Sequence, residues 1–319
     1  MRYWALVGLS AGMTICNAVL VWVFCRWRPG LSLRGAGVRS MLHFGLDITG
    51  FQIVNFFARN ADKILLGRLH GSYVTGLYSR AYSLFMLPIS QIRAPLTAVA
   101  LPALSRIQNE PGEYARYYCK FASLLAFITM PLAAFLFVCS ENTTRLVLGQ
   151  RWMGASPIFR ILALAAFIQA VETAAGLVLL SLGSSKRYLK WGIFRSASVV
   201  ICFGLGIRWG GRGVAAAYTI GEYLILLPTL WYCLRGTPVS VFAFLRVISQ
   251  PALASIAAAA LTFLVYRFLL SGQPDAVTLG VCAFTGTLLY FAIWALLPGG
   301  PARLSEFFSY IRLALRENR

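Results

Sequence analysis

Four polar side chains interrupt an apolar run at helical spacing: Gln52, Asn55, Arg59 and Asp62. At 100° per residue, their i, i+3, i+7, i+10 pattern falls within about an 80° arc of one helix face. Asn60 and Lys63 flank the end of this stripe, in FFARNADKILLGRL, residues 56–69. Such groups are expensive inside a bilayer, where they face a bundle interior or a watery cavity. Asn55 and Arg59 are therefore expected to face a cavity. Asp62 and Lys63 admit two readings, the same polar path or a helix end where they snorkel or pair with each other.

Further along lie Tyr78, Arg80, Ser83, Ser90, Gln91 and Arg93, again among apolar residues. Arg80 and Gln91 share a face if the intervening helix is only mildly bent. Pro88 and Pro95 remove backbone donors there, so the helix kinks or leaves carbonyls free. Bent or broken helices recur in transporters. Arg93 either joins the polar path or marks the cytoplasmic approach. Two carboxylates complete the candidate set: Glu172, beside Gln169 and Thr173, and Glu222, beside Tyr218 and Thr219. Each is expected either to pair with an arginine or to titrate in a coupling-ion pathway.

The elements that position these residues follow from composition. The chain has 319 residues, is 59% hydrophobic and is only 12% charged, with mean hydropathy +0.71. Soluble domains carry about 25% charged residues, so the expected class is an all-α polytopic membrane protein. Spanning helices need about 20 apolar residues. Nine are read: Trp4–Phe24, Phe44–Leu66, Gly76–Leu101, Tyr118–Ser140, Pro157–Leu182, Leu189–Ile207, Val214–Cys233, Ile248–Leu270 and Ala276–Leu297. The first is too long for a signal-peptide core and lacks an A-x-A site, so it reads as a retained helix. Spans eight and nine carry Arg267 and Asp275 only near their ends and look peripheral.

The formal charge is +19. In a soluble protein that excess would point to nucleic acid, but no recognised module is present and the basic residues lie between apolar runs. No nucleic-acid partner is expected; the basic groups set topology and meet anionic membrane lipids. Loops after spans one, three, five and seven hold most of them, including Arg26, Arg28, Arg34, Lys186, Arg187, Lys190 and Arg195. The positive-inside rule then puts the N-terminus outside and the C-terminus in the cytoplasm. In the tail, Leu304, Phe307, Phe308, Ile311 and Leu315 share a helical face, and Arg303, Arg312, Arg316 and Arg319 suit an anionic leaflet. A plain solvated tail fits equally well. The seven Cys are scattered without metal-ligand spacing. HExxH, Walker A and GxSxG motifs are absent, so no catalytic residue, metal or cofactor is assigned.

The stretch FARNADKILLGRLHGSYVTGLYSRAYSLFMLPISQI, then LPALSRIQNEP, then LVLGQRWMGASPIFRILALAAFIQ, resembles the Wzx-type polysaccharide exporters of the multidrug/oligosaccharidyl-lipid/polysaccharide (MOP) superfamily. The likeness runs over about Phe44 to Leu234. It implies two six-helix lobes around a central cavity, often with two further helices. It also implies transfer of lipid-linked oligosaccharide across the bacterial inner membrane by alternating access. On that plan residues 1–30 are the last helix of an otherwise missing first lobe, 31–235 the second lobe, 236–300 two additional helices and 301–319 a basic amphipathic tail. The implied substrate is an anionic pyrophosphate lipid. Arg59, Arg80 and Lys63 would attract it, while Asp62 and Asn60 would orient the basic groups or contact sugar hydroxyls, since a guanidinium holds two phosphate oxygens at once. Three other readings stay open: a drug antiporter of the same superfamily, a membrane glycan polymerase or ligase, and a non-transporting partner of other polysaccharide biosynthesis proteins.

Overall fold

A computed structural model describes residues 2–25, 38–270 and 272–297. The basic tail, residues 301–319, and the loop arginines Arg26, Arg28 and Arg34 lie outside the described residues. The chain divides into two compact units, Met1–His43 and Phe44–Arg319. The first unit contains α1, Arg2–Phe24. The second holds most of α2, Val38–Arg106, and then α3, Pro111–Val138; α4, Ser140–Leu148; α5, Ser156–Ser181; α6, Ser185–Gly206; α7, Gly210–Leu234; α8, Val241–Leu269; and α9, Asp275–Leu296. Short 3-10 turns, Gln150–Ala155 and Ile207–Trp209, precede α5 and α7.

Among the described residues, six stretches have the length and hydropathy to cross a bilayer, and two of these, Met41–Arg106 and Ser185–Leu234, run for 66 and 50 residues. At 1.5 Å per residue each is about two or three times as long as a hydrocarbon core of about 30 Å requires. Both break internally. The first turns at Gly71, whose φ of 80° and ψ of 176° leave the helical region where only glycine is unstrained. The second turns at the Ile207–Trp209 3-10 segment and Gly210, φ 65°. Counted by limb, the six stretches account for eight of the nine expected spans, and the first expected span coincides with α1, of which Ala11–Phe24 is a shorter apolar helix. The helix containing Pro88 and Pro95 stays within helical dihedrals from residue 72 to 106. The donors are lost without a break.

Within the second unit α3 packs between α5 and α8, α7 lies against α5 and α6, and α9 covers α8. Aromatic residues build two main cores. One gathers Tyr114, Tyr118, Trp191 and Phe244, and the other Tyr78, Phe85, Phe159 and Phe203. Lipid tails are as apolar as these side chains, so close packing and interhelical hydrogen bonds hold such a bundle rather than exclusion of water. Ser185 Oγ donates to Asp47 Oδ2 at 2.7 Å, fastening α2 to the start of α6. Arg187 Nη2 donates to the carbonyls of Tyr232 and Arg235 at 2.6 and 2.8 Å. It thereby satisfies orphan carbonyls at the end of α7. At the other end of the bundle Asn142 Nδ2 donates to Asp275 Oδ1 at 2.8 Å and Arg145 pairs with the same oxygen at 3.3 Å, tying α4 to α9.

Candidate functional site

A cavity of about 560 Å³ lies between both limbs of α2 and helices α5, α6 and α7. It falls within the range of about 300–1,000 Å³ usual for small-ligand sites. The first limb of α2 contributes Gln52, Asn55 and Asp62, the polar stripe read from sequence, together with Phe51 and Ala58. The second limb contributes Tyr82, Arg93 and Thr97. Facing them are Gln169, Glu172 and Thr173 of α5, Trp191, Arg195 and Ser196 of α6, and Tyr218 and Glu222 of α7.

The electrostatic centre of this wall is a cluster of three charged side chains from three helices. Arg195 Nη2 donates to Glu172 Oε2 at 2.6 Å and to Glu222 Oε1 at 2.8 Å. The side chains are 20%, 9% and 2% exposed for Arg195, Glu172 and Glu222. Burying a carboxylate at this depth is costly without an opposite charge nearby, and here both carboxylates reach the same guanidinium. Four polar atoms of the same wall are buried without a hydrogen-bond partner: Gln169 Oε1, Trp191 Nε1, Arg195 Nε and Glu222 Oε2. Such groups are uncommon in folded proteins, where buried polar atoms are nearly all satisfied.

The remaining candidates divide by helix face. Asp62 is 1% exposed and accepts from the Lys63 backbone N–H at 2.6 Å. Lys63 is half-buried and is not among the described lining residues. Asn60 is satisfied locally, donating from Nδ2 to Phe56 O at 2.8 Å, one turn back. Arg59 lies on α2, but its side chain falls outside the described residues. Arg80 and Gln91 do share a face, as their spacing predicts, but it is the exposed face, off the cavity wall. The Arg80 guanidinium sits 5.4 Å from the Trp152 ring centroid. Arg93, two residues beyond Gln91, is rotated by about 200° and so lines the cavity instead.

Arg195 corrects the sequence reading most sharply. Counted there as a loop charge, it lies in the middle of α6 and binds both buried glutamates. Lys186, Arg187 and Lys190 likewise belong to α6 and not to the preceding loop. A signal was present: Arg195 falls inside the apolar run Leu189–Ile207, and two mid-span glutamates had no assigned cation.

Comparison with known proteins agrees with the resemblance drawn from the motifs. A family model described as "Polysaccharide biosynthesis protein" matches residues 1–157. The teichuronic acid biosynthesis protein TuaB of Bacillus subtilis (strain 168) is 25% identical over 254 residues, which is 77% of this chain and 52% of that protein. The lipopolysaccharide biosynthesis protein WzxC of Escherichia coli (strain K12) is 27% identical over 199 residues, 62% of this chain and 40% of that protein. The chain thus spans about half the length of the curated relatives it matches. Among solved structures, lipid II flippase MurJ in an inward closed conformation superposes with a TM-score of 0.65 at 15% identity, covering 86% of this chain and 57% of that one. The chain is an all-α, multi-pass membrane protein whose fold is similar to that of this solved structure.

Proposed function

We propose that this chain, a relative of polysaccharide biosynthesis proteins with the fold of a lipid flippase, moves a lipid-linked glycan across a bacterial inner membrane. The observation that carries the reading is the polar cavity between α2, α5, α6 and α7. Its wall offers a guanidinium from Arg93 for a diphosphate. Its amides and hydroxyls, from Gln52, Asn55, Gln169 and Thr173, suit sugar hydroxyls. A lipid tail would remain in the bilayer while the headgroup entered the cavity.

Residues 31–235 would form one lobe of such a carrier, residues 1–30 a helix of the other lobe, and residues 236–300 two accessory helices. The N-terminus would lie outside and the C-terminus in the cytoplasm. Alternating access in this scheme requires the cavity to close against a second lobe and open to one face at a time. No covalent change of the substrate is involved, so the chain would be a carrier and not an enzyme.

The test is a bleaching assay in vesicles containing the purified chain and a lipid-diphosphate sugar labelled on its headgroup with a reducible fluorophore. Dithionite added outside bleaches the outer leaflet alone unless the lipid is flipped. Complete bleaching with unchanged probe on thin-layer chromatography supports transport. Bleaching that stops at the level of protein-free vesicles would refute autonomous transport, and a covalently altered probe would favour an enzyme.

A further inference from the structure

The two glutamates of the cavity wall face one arginine, and this imbalance has a chemical meaning. Glu172 on α5 and Glu222 on α7 both bond to the same Nη2 of Arg195 on α6. Both carboxylates are thus held on one guanidinium nitrogen, at 2.6 and 2.8 Å. An ionised carboxylate only accepts, whereas a protonated one also has an O–H to donate. Glu222 Oε2 is buried without a hydrogen bond among the described groups, beside the Tyr218 hydroxyl, and is an oxygen on which a proton can reside. Fully ionised, the cluster would hold a net charge of −1 in a poorly solvated wall. With one proton it is neutral.

Among the described residues, the surrounding groups do not remove the imbalance. Tyr218 of α7 lies beside Glu222, and Cys202 of α6 is also within its field. Trp191 and Ser196 of α6 and Gln169 and Thr173 of α5 are polar but uncharged. Across the cavity, α2 supplies Asp62 and Arg93, one charge of each sign, with Tyr82 between them in sequence.

We propose that Glu172, Glu222 and Arg195 form a proton-binding site whose occupancy is linked positively to an anionic headgroup in the same cavity. The inference rests on the proposed function for the identity of the anion. An anion entering the cavity meets a neutral cluster when the proton is present and a negative one when it is absent. It therefore binds the protonated form better. By reciprocity, the bound anion raises the cluster's hold on its proton by the same factor. In balance, the anion and one proton from bulk water enter together, the proton coming to rest on the carboxyl pair. Anion and proton would thus load on the same side of the cycle rather than exchange for each other.

The test uses the purified full chain in detergent and farnesyl-diphospho-N-acetylglucosamine, a diphosphate diester whose own charge is constant near neutral pH. Titration calorimetry in two buffers of different ionisation enthalpy counts the protons taken up. The expected result is net uptake, approaching one proton above the cluster's titration. There the affinity falls by up to about tenfold per pH unit; below it, affinity is level. Glu172→Gln and Glu222→Gln, each neutral at every pH, flatten the profile and abolish the uptake. Wild-type binding with no proton uptake and no pH dependence would overturn the linkage while leaving the carrier reading intact. Absence of probe binding at any pH would instead overturn the carrier reading, and with it this inference. The wild-type measurement stands alone should either variant fail to fold.

Discussion

Arg195 Nη2 donates to Glu222 Oε1 at 2.8 Å, from one helix to the next across a turn that ends at Gly210. The pair, with Glu172 added from α5, binds together the three helices that make one side of the cavity. In lipid the alternative to such pairing is an unmatched charge, so the cluster specifies how α5, α6 and α7 are rotated against one another.

Arg195→Met leaves two carboxyl groups without a counter-charge in a desolvated wall. Removing one partner of a buried ion pair costs about 3–5 kcal/mol. A clear drop in melting temperature is expected in detergent, by intrinsic fluorescence or thermostability gel filtration. Adding Glu172→Gln and Glu222→Gln to that variant should recover much of the loss, because no uncompensated charge remains. A single variant as stable as wild type would show that the cluster does not hold the helices.

Gly192 on α6 lies directly against the Phe51 ring of α2, leaving no room for a Cβ. The ring also stacks near Trp191 and Tyr188, with centroids 5.9 and 4.1 Å away. Gly192→Val must displace the ring, and overpacking of this kind costs about 1–3 kcal/mol. Phe51→Leu in the same chain should restore part of the stability. Thermal melts of the single and double variants decide it.

Ser185→Ala removes the hydroxyl that donates to Asp47 at 2.7 Å. A loss of about 1 kcal/mol is expected. In a double-mutant cycle with Asp47→Asn the two effects should be non-additive, since the residues share one interaction. Strict additivity would mean that the bond does not contribute.

Arg93 and Arg80 separate the cavity from the outer face of the same helix limb. Arg93→Gln, on the cavity wall, should weaken binding of the diphosphate-sugar probe about tenfold or more, as for loss of one hydrogen bond to a charged group. Arg80→Gln, which gives up a stacking contact on Trp152, should leave that affinity within about twofold. Equal losses at both positions would show that the anion does not bind where the cavity lies.

Asp275→Ala cuts both ties from α4 to α9. The Arg145 side chain is 44% exposed, and pairs of this kind contribute less than about 1 kcal/mol. Only a small shift in melting temperature is expected.

The class of the molecule, its helical limbs and the stripe on α2 were legible in the residues themselves. Hydropathy and length decide whether a segment crosses a bilayer. A 100° rotation per residue decides which side chains share a face. Gln52, Asn55 and Asp62 accordingly do line one wall, and Arg80 and Gln91 do lie on one face. Spacing along a single helix contains no information about where that face points. The packing of α2 against its neighbours turned Arg80 outward and Arg93 inward, against the expectation for Arg80. The same limit hid Arg195. Sequence offered a basic residue near a basic loop and two distant glutamates, and only the depth and rotation of α6 between α5 and α7 brought the three together. Interhelical register is set by which side chains interlock across the bundle, and that is a property of the assembled helices and not of any one of them.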